Sequence, residues 1–273
     1  MGELLKGLVP EGRLIMRLVL YTSKSILTSE LFLYIYAHVA SQFQDVKLVA
    51  VVSSESLPQK LRRFIRKIRR LGVWSGLEIL TSLPLKRSLA GRDQEKIKLM
   101  LSRLPRPRLA PDLRSIIFVP TVNGPEAVQA IGRLSPDIII QAGAGILQSQ
   151  IFTLADIGTL NIHHGIAPLI KGMDSIYWGL WERQSQWLGS TLHWIDAGID
   201  TGGVLAYHFV APRTPKEGFP ELFVRATEGG VANLVQALRR LEQGERWVLP
   251  PMPDPSVYRS TFSGWKLLRL WLR

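Results

Sequence analysis

The chain has 273 residues, 34 Lys+Arg against 22 Asp+Glu for a net charge of +12, 46% hydrophobic residues and no cysteine. That length can bury a core as one large domain or as a domain with a small appendage, and the missing cysteines exclude disulfides, thiolate metal sites and a cysteine nucleophile, so zinc would have to rely on His and carboxylate ligands. Arg13, Arg17 and Lys47 interrupt the apolar runs, and Glu3 and Glu11 stand where a signal peptide would be uncharged, so neither a spanning helix nor a leader is expected and a cytoplasmic location is. The positive charge implies attraction to anions: phosphorylated metabolites, polyglutamylated cofactors, nucleic acid or an anionic membrane face.

Residues 14–21 read as a strand, 30–43 as a helix with Leu31, Tyr34, Ile35 and His38 along one face, and 46–52 as a second strand, which together make a βαβ unit. Residues 60–71 show helical spacing of Leu61, Phe64, Ile65 and Ile68 with seven Lys/Arg around the remaining turn. Short strands are predicted at 76–80 and 116–119, a helix at 125–134 opened by Asn123, and a buried strand at 137–141. Between Pro84 and Arg114 the pattern weakens, with nine Lys/Arg, three acids and prolines at 105, 107 and 111, as in an insertion.

The second half changes character. Residues 190–195 and 204–210 alternate and are joined by a glycine-rich loop, the pattern of an antiparallel pair. A helix over 221–241 and a tail over 250–273 follow. The expected fold is α/β: a Rossmann-like, mostly parallel doubly wound sheet with an antiparallel edge pair and a C-terminal helical appendage. Residues 1–212 are expected to form the catalytic domain, and 213–273 a C-terminal helix and basic tail. In 261–273, Trp265, Leu268 and Trp271 or Leu272 recur at helical spacing beside Lys266, Arg269 and Arg273, a segment for packing or for docking to an anionic membrane face or a second subunit in a homodimer.

Chemistry concentrates where a short strand at 158–160 runs into Asn161-Ile-His163-His164-Gly165. On extended backbone Asn161 and His163 share a face, so an amide and an imidazole converge beyond the carboxyl edge of the sheet, where open α/β sheets bind ligands. Asp200 lies in a loop whose glycines let a carboxylate be presented to a cleft. His164 points to the opposite face and is assigned a structural role, as are Trp178 and Trp181. Taken alone, Asn-x-His is ordinary local hydrogen bonding.

The ordered set Asn161-x-His163, Pro168, Gly172, Trp178, Gly189-x-Thr191-x-His193 and Asp200-x-Gly202 resembles the signature of the 10-formyltetrahydrofolate-dependent formyltransferases. The strand at 136–140 followed by Ala142-Gly143-Ala144-Gly145-Ile146-Leu147 is similar to that family's folate-side strand and loop, and the resemblance is best over 115–210. It implies 10-formyltetrahydrofolate as formyl donor, catalytic roles for Asn161, His163 and Asp200, and a pterin slot at Gly143, Ala144, Gly145, Ile146, Leu147, Ile195 and Asp196. In that scheme Asn161 donates to a tetrahedral oxyanion, His163 moves a proton, Asp200 keeps the imidazole charged or relays a proton, and His193 supports the Asp200 loop.

Departures from the family narrow the acceptor. The segment Tyr21-Thr-Ser-Lys-Ser-Ile-Leu-Thr28 has no glycine, against the glycine-rich phosphate loop of the glycinamide-ribonucleotide enzymes. The 73 residues after Asp200 leave little room for the barrel domain of the initiator-tRNA enzymes. The expected acceptor is therefore the primary amine of a small anionic molecule, such as a nucleotide-linked amino sugar. A tRNA-directed enzyme, or a non-catalytic module binding nucleic acid, are the alternatives.

Overall fold

The computed structural model describes residues 15–52, 65, 73–214, 217–250, 252 and 257–272. The basic helix expected over 60–71 lies almost entirely outside the described residues.

The main sheet takes β1 (Arg17–Ser23), β2 (Asp45–Val51), β3 (Ile117–Val119), β4 (Ile138–Gln141), β5 (Gly158–His163), β7 (Gly189–Trp194) and β8 (Val204–Phe209) in the order β3-β2-β1-β4-β5-β7-β8. Strands β3 to β5 in that order run parallel, and β7 and β8 close the far edge antiparallel. The order reverses between β1 and β4, which opens a crevice at their carboxyl ends. Strand β4 reads Ile138-Ile139-Ile140, all at most 2% exposed, because both faces of a parallel sheet are covered. Ile138 and Ile140 face a cluster shared with α1 (Glu30–Ala40) and α6 (Phe219–Glu242), and Ile139 a second cluster with α3 (Pro125–Leu134) and α4 (Ser149–Phe152).

Two expectations need correcting. The strand predicted at 76–80 lies inside α2 (Val73–Arg103), a helix of 31 residues that contains Pro84. Five residues of alternation are too few to outweigh a helical period that continues through the buried Leu89 and Leu101. The supposed insertion is thus helical up to Arg103, and the prolines at 105, 107 and 111 only stop it being continued. Nor does Asn123 cap α3: Gly124 holds that position with Pro125 behind it, and the Asn123 side chain reaches across to the loop after β4 instead.

The residues after 250 carry structure of their own. Strand β9 (Val257–Arg259) pairs parallel with β6 (Ile170–Gly172), forming a second, two-stranded sheet. Helix α7 (Gly264–Trp271) buries Leu267 beside Leu89 of α2 and Tyr177 of α5 (Ser175–Trp181), while Trp265 and Trp271 remain half-exposed. Among the described residues no helix is long and apolar enough to cross a membrane.

Helix α6 sits close to the sheet because of two interior glycines. A Cβ at Gly229 would fall 2.0 Å from Cγ of His208, and one at Gly230 2.7 Å from Cγ2 of Ile162. Glycine inside a helix costs about 1 kcal/mol relative to alanine. Here it permits an approach that sets Thr227 and Phe223 against β5.

Candidate active site

Strand β5 extends to His163, so Asn161 and His163 lie within it rather than beyond its end. Their shared face is opposite that of Ile162 and His164, as the two-residue period requires. Register does the next step: Asn161 is paired with His193 of β7, and the Asn161 Nδ2 donates to His193 Nε2 at 3.1 Å. His193 Nδ1 in turn donates to the Trp194 carbonyl at 2.8 Å.

Asp200 arrives from the loop between β7 and β8 with a left-handed backbone, φ 50°. The loop is cinched by Asp196, whose Oδ1 accepts from the Gly198 amide at 3.0 Å and the Thr201 hydroxyl at 2.6 Å. One carboxylate oxygen of Asp200 accepts from the Gly172 amide at 2.9 Å and lies 3.4 Å from His163 Nδ1; the other lies 3.6 Å from His193 Nε2. Burial pushes the Asp200 carboxyl up, but the His193 contact, the His163 ring and the Gly172 amide outweigh it and hold its pKa at about 2. It is a permanent anion at neutral pH.

The other side of His163 is anchored too. Nε2 donates to the Ile170 carbonyl at 3.1 Å, with the Ser175 hydroxyl 3.3 Å away. Two influences oppose each other at this ring. Burial drives its pKa below the ordinary histidine value, Asp200 pulls it up, and burial is the larger. The resting ring is therefore neutral, with its proton on Nε2 and a lone pair on Nδ1 beside a carboxylate. A proton taken up at Nδ1 completes an ion pair already in place.

His164 is a different residue chemically. Its ring stacks on Phe223 with centroids 4.2 Å apart, and its Nε2 is 2.9 Å from Thr227 Oγ1. Thr227 spends its own hydrogen on the Phe223 carbonyl at 2.9 Å, so His164 is the donor and its Nε2 carries the proton. Burial, helped by the adjacent His163, takes its pKa down to about 3.

These groups surround a cavity of about 340 Å³ floored by β5 and walled by Gly172, residues 174–176, Asp200, and Phe219 and Phe223 of α6. A smaller, apolar cavity of about 200 Å³ adjoins it, sharing Ile162 and His164 and extending between α1 and α6 to Gln141 and Gly143.

Of the residues expected to form a donor slot, Gly143 borders the smaller cavity. Ala144, Leu147 and Ile195 all pack on one core cluster. Leu147 is buried there and Ile146 is 77% exposed, which leaves Ile146 to offer the apolar face. The loop after β4 is tied down at both ends: Gln141 Nε2 donates to the Gly145 carbonyl, Asn123 Nδ2 to that of Ile146, and the Gln148 amide to Asn123 Oδ1. Gly143 and Gly145 take φ of 89° and 115°, which only glycine adopts readily. The groups that sequence reasoning missed are mainly backbone: the Ile170 carbonyl and the Gly172 amide, with Ser175 beside them.

Residues 106–238 match the family model described as formyl transferase. Over that span, just under half of the chain, the sequence is similar to the formyl transferases. It is 31% identical over 128 residues to the methionyl-tRNA formyltransferase of Syntrophus aciditrophicus, covering 46% of this chain and 40% of that one. It is 32% identical over 175 residues to the same enzyme of an Anaeromyxobacter species, covering 63% and 53%. The chain thus spans about half the length of such relatives. Among solved structures, a 4-N formyltransferase from Francisella tularensis superposes with a TM-score of 0.55 at 12% identity, over 90% of this chain and 76% of that one. HypX from Aquifex aeolicus in complex with tetrahydrofolic acid superposes with a TM-score of 0.52 at 16% identity, over 91% and 30%. At those identities the family's fold is what is shared.

Proposed function

We propose that this chain transfers a formyl group from 10-formyltetrahydrofolate to the primary amine of a small anionic acceptor. The observation that carries the reading is the convergence of Asn161, His163 and Asp200 on one cavity at the carboxyl edge of the sheet. Attack of an amine on a formyl carbon creates an oxyanion and an ammonium, and the site has a group for each. Asn161 has a second amide hydrogen beyond the one given to His193, available to an oxyanion. Neutral His163 accepts the ammonium proton at Nδ1, Asp200 stabilises the imidazolium, and the same proton then protonates the departing nitrogen. The carbon–nitrogen bond to the acceptor forms on attack, and that to the donor breaks when the tetrahedral adduct collapses. The loop after β4 fits a flat, hydrogen-bonding ring: side-chain-free Gly143 and Gly145 allow close approach, and exposed Ile146 and Ile199 offer apolar cover. The predicted contribution of Asp196 is indirect, since its carboxylate is spent on the loop itself.

A second acceptor, aminoacyl-tRNA, is favoured by the methionyl-tRNA formyltransferase names of the relatives together with the net charge of +12. Incubating the chain with 10-formyltetrahydrofolate and either nucleotide-linked amino sugars or charged initiator tRNA separates the two. Product should form with one class. Asn161→Ala, His163→Ala and Asp200→Ala should each lower its rate by about a hundredfold or more while remaining folded. Wild-type rates in all three would refute the assignment, and no product from any amine alongside intact folate binding would leave a binding module.

A further inference from the structure

We infer that Lys86 and the C-terminal segment 257–264, both outside the span matched by the family, are positioning elements for the His163–Asp200 pair. The inference rests on the proposed function only in regarding that pair as catalytic. Both partners are hydrogen-bonded to the same three-residue strand: His163 Nε2 donates to the Ile170 carbonyl and the Gly172 amide donates to Asp200. So short a strand does not stabilise itself. Its described strand partner is β9, in the register Ile170 to Val257 and Gly172 to Arg259, extended by hydrogen bonds from Val257 N to the Leu169 carbonyl and from Met173 N to the Arg259 carbonyl, each 3.0 Å. The contact is close: a Cβ at Gly172, where φ is 99°, would stand 2.2 Å from the Arg259 oxygen.

What fixes β9 is a charged knot. Lys86 Nζ donates at 2.8 Å to both Asp174 Oδ2 and the Phe262 carbonyl, and the Phe262 amide donates at 2.8 Å to the same Asp174 oxygen. Asp174 immediately precedes α5 and also lines the cavity. Around the knot, the Phe262 ring is 1% exposed, packed edge-on to Trp178 and Trp181, Trp178 Nε1 donates to the Ser260 carbonyl at 2.8 Å, and Arg259 grips Glu182 with two bonds of 3.0 and 2.9 Å. The path therefore runs from α2 through Lys86 to Asp174 and Phe262, along β9 to β6, and so to the two side chains. Of this path, Lys86, Phe262 and β9 do not line the cavity.

The test reads His163 directly, by NMR titration of the imidazole rings in the full chain. That ring is faced by Asp200 from the β7–β8 loop, by His193 of β7, by its neighbour His164, and has Asp174 on the wall of the same cavity. In Lys86→Met and in Asp174→Asn, loosening of β6 lets water reach the ring. Because burial is what depresses its titration, the midpoint should move up by about one pH unit, a tenfold gain in proton affinity. Lys86→Arg retains donors for both acceptors and should restore the wild-type midpoint. Should Lys86→Met fail to fold, Asp174→Asn, which keeps an acceptor for the Phe262 amide, carries the test. Unchanged His163 midpoints in folded Lys86→Met and Asp174→Asn, with only the melting temperature lowered, would overturn the inference. A shifted midpoint in a chain that formylates no amine would support it while removing the proposed function.

Discussion

His164 should make the protein acid-sensitive in a way that one substitution relieves. Its ring is neutral in the fold, with a pKa of about 3 against the ordinary 6.5 of the unfolded chain. Between those values the unfolded state binds a proton that the folded state does not, so stability is fully present above pH 6.5 and falls as pH falls through the window. The slope is about 1.4 kcal/mol per pH unit, and the whole window amounts to about 5 kcal/mol. Part of the ring faces the two cavities rather than packed atoms, so that total is an upper bound. Domains of this kind have about 5–15 kcal/mol in all, so the loss is a third or more of the total. His163 is depressed in the same direction and adds a second proton, for a combined slope of about 2.8 kcal/mol per unit where both rings are neutral in the fold and charged out of it. Asp200, held at about 2, acts only at lower pH: its stabilisation is present above the ordinary carboxylate value of 3.8 and lost below it. His164→Gln keeps an N–H for the Thr227 hydroxyl and removes the titration. Urea unfolding between pH 7.5 and 4.5 should show stability falling less steeply in the variant than in wild type, by up to about 1.4 kcal/mol per pH unit, with the two stabilities converging in acid. Parallel slopes would show that His164 is not the buried neutral group described here.

Two further outcomes are expected. Gly229→Ala, which in a free helix would stabilise by about 1 kcal/mol, should here lower the melting temperature, because the added carbon meets the base of the His208 ring at 2.0 Å; a rise would mean that α6 can move off the sheet at little cost. Ile146→Asp, at a position 77% exposed, should leave stability unchanged and weaken tetrahydrofolate binding by about tenfold or more, read by calorimetry; unaltered binding would move the donor away from the loop after β4.

Periodicity made most of the sheet legible. The runs around Val19, Val49, Ile139 and Leu192 alternate or run apolar because of where their faces lie, and β7 and β8 announced their antiparallel pairing by alternation and a glycine-rich loop between them. The face shared by Asn161 and His163 followed from the same two-residue period, and so did the separation of His164 from them. Helix α2 was misread where a short alternation at its beginning and Pro84 masked a period visible only over many turns.

The support of the site was hidden for a different reason. Side-chain chemistry can be read from residue types, but His163 and Asp200 are held by a carbonyl and an amide, groups that every residue of β6 except a proline would offer. Their placement therefore depends on the path of the backbone, and that path is set by β9, from a segment whose three-residue strand carries no period. Lys86 is 88 residues from Asp174 and looks like any other cation in a basic stretch. Its meaning comes from geometry, since one ammonium satisfies both a carboxylate and the Phe262 carbonyl with the cavity on one side and a buried ring on the other. Removing that ammonium leaves the Phe262 carbonyl without its donor and the Asp174 charge without its counterion, in side-chain surroundings that are only 25% exposed at Asp174. The strain of re-solvating them falls first on β9, the element that β6 leans on.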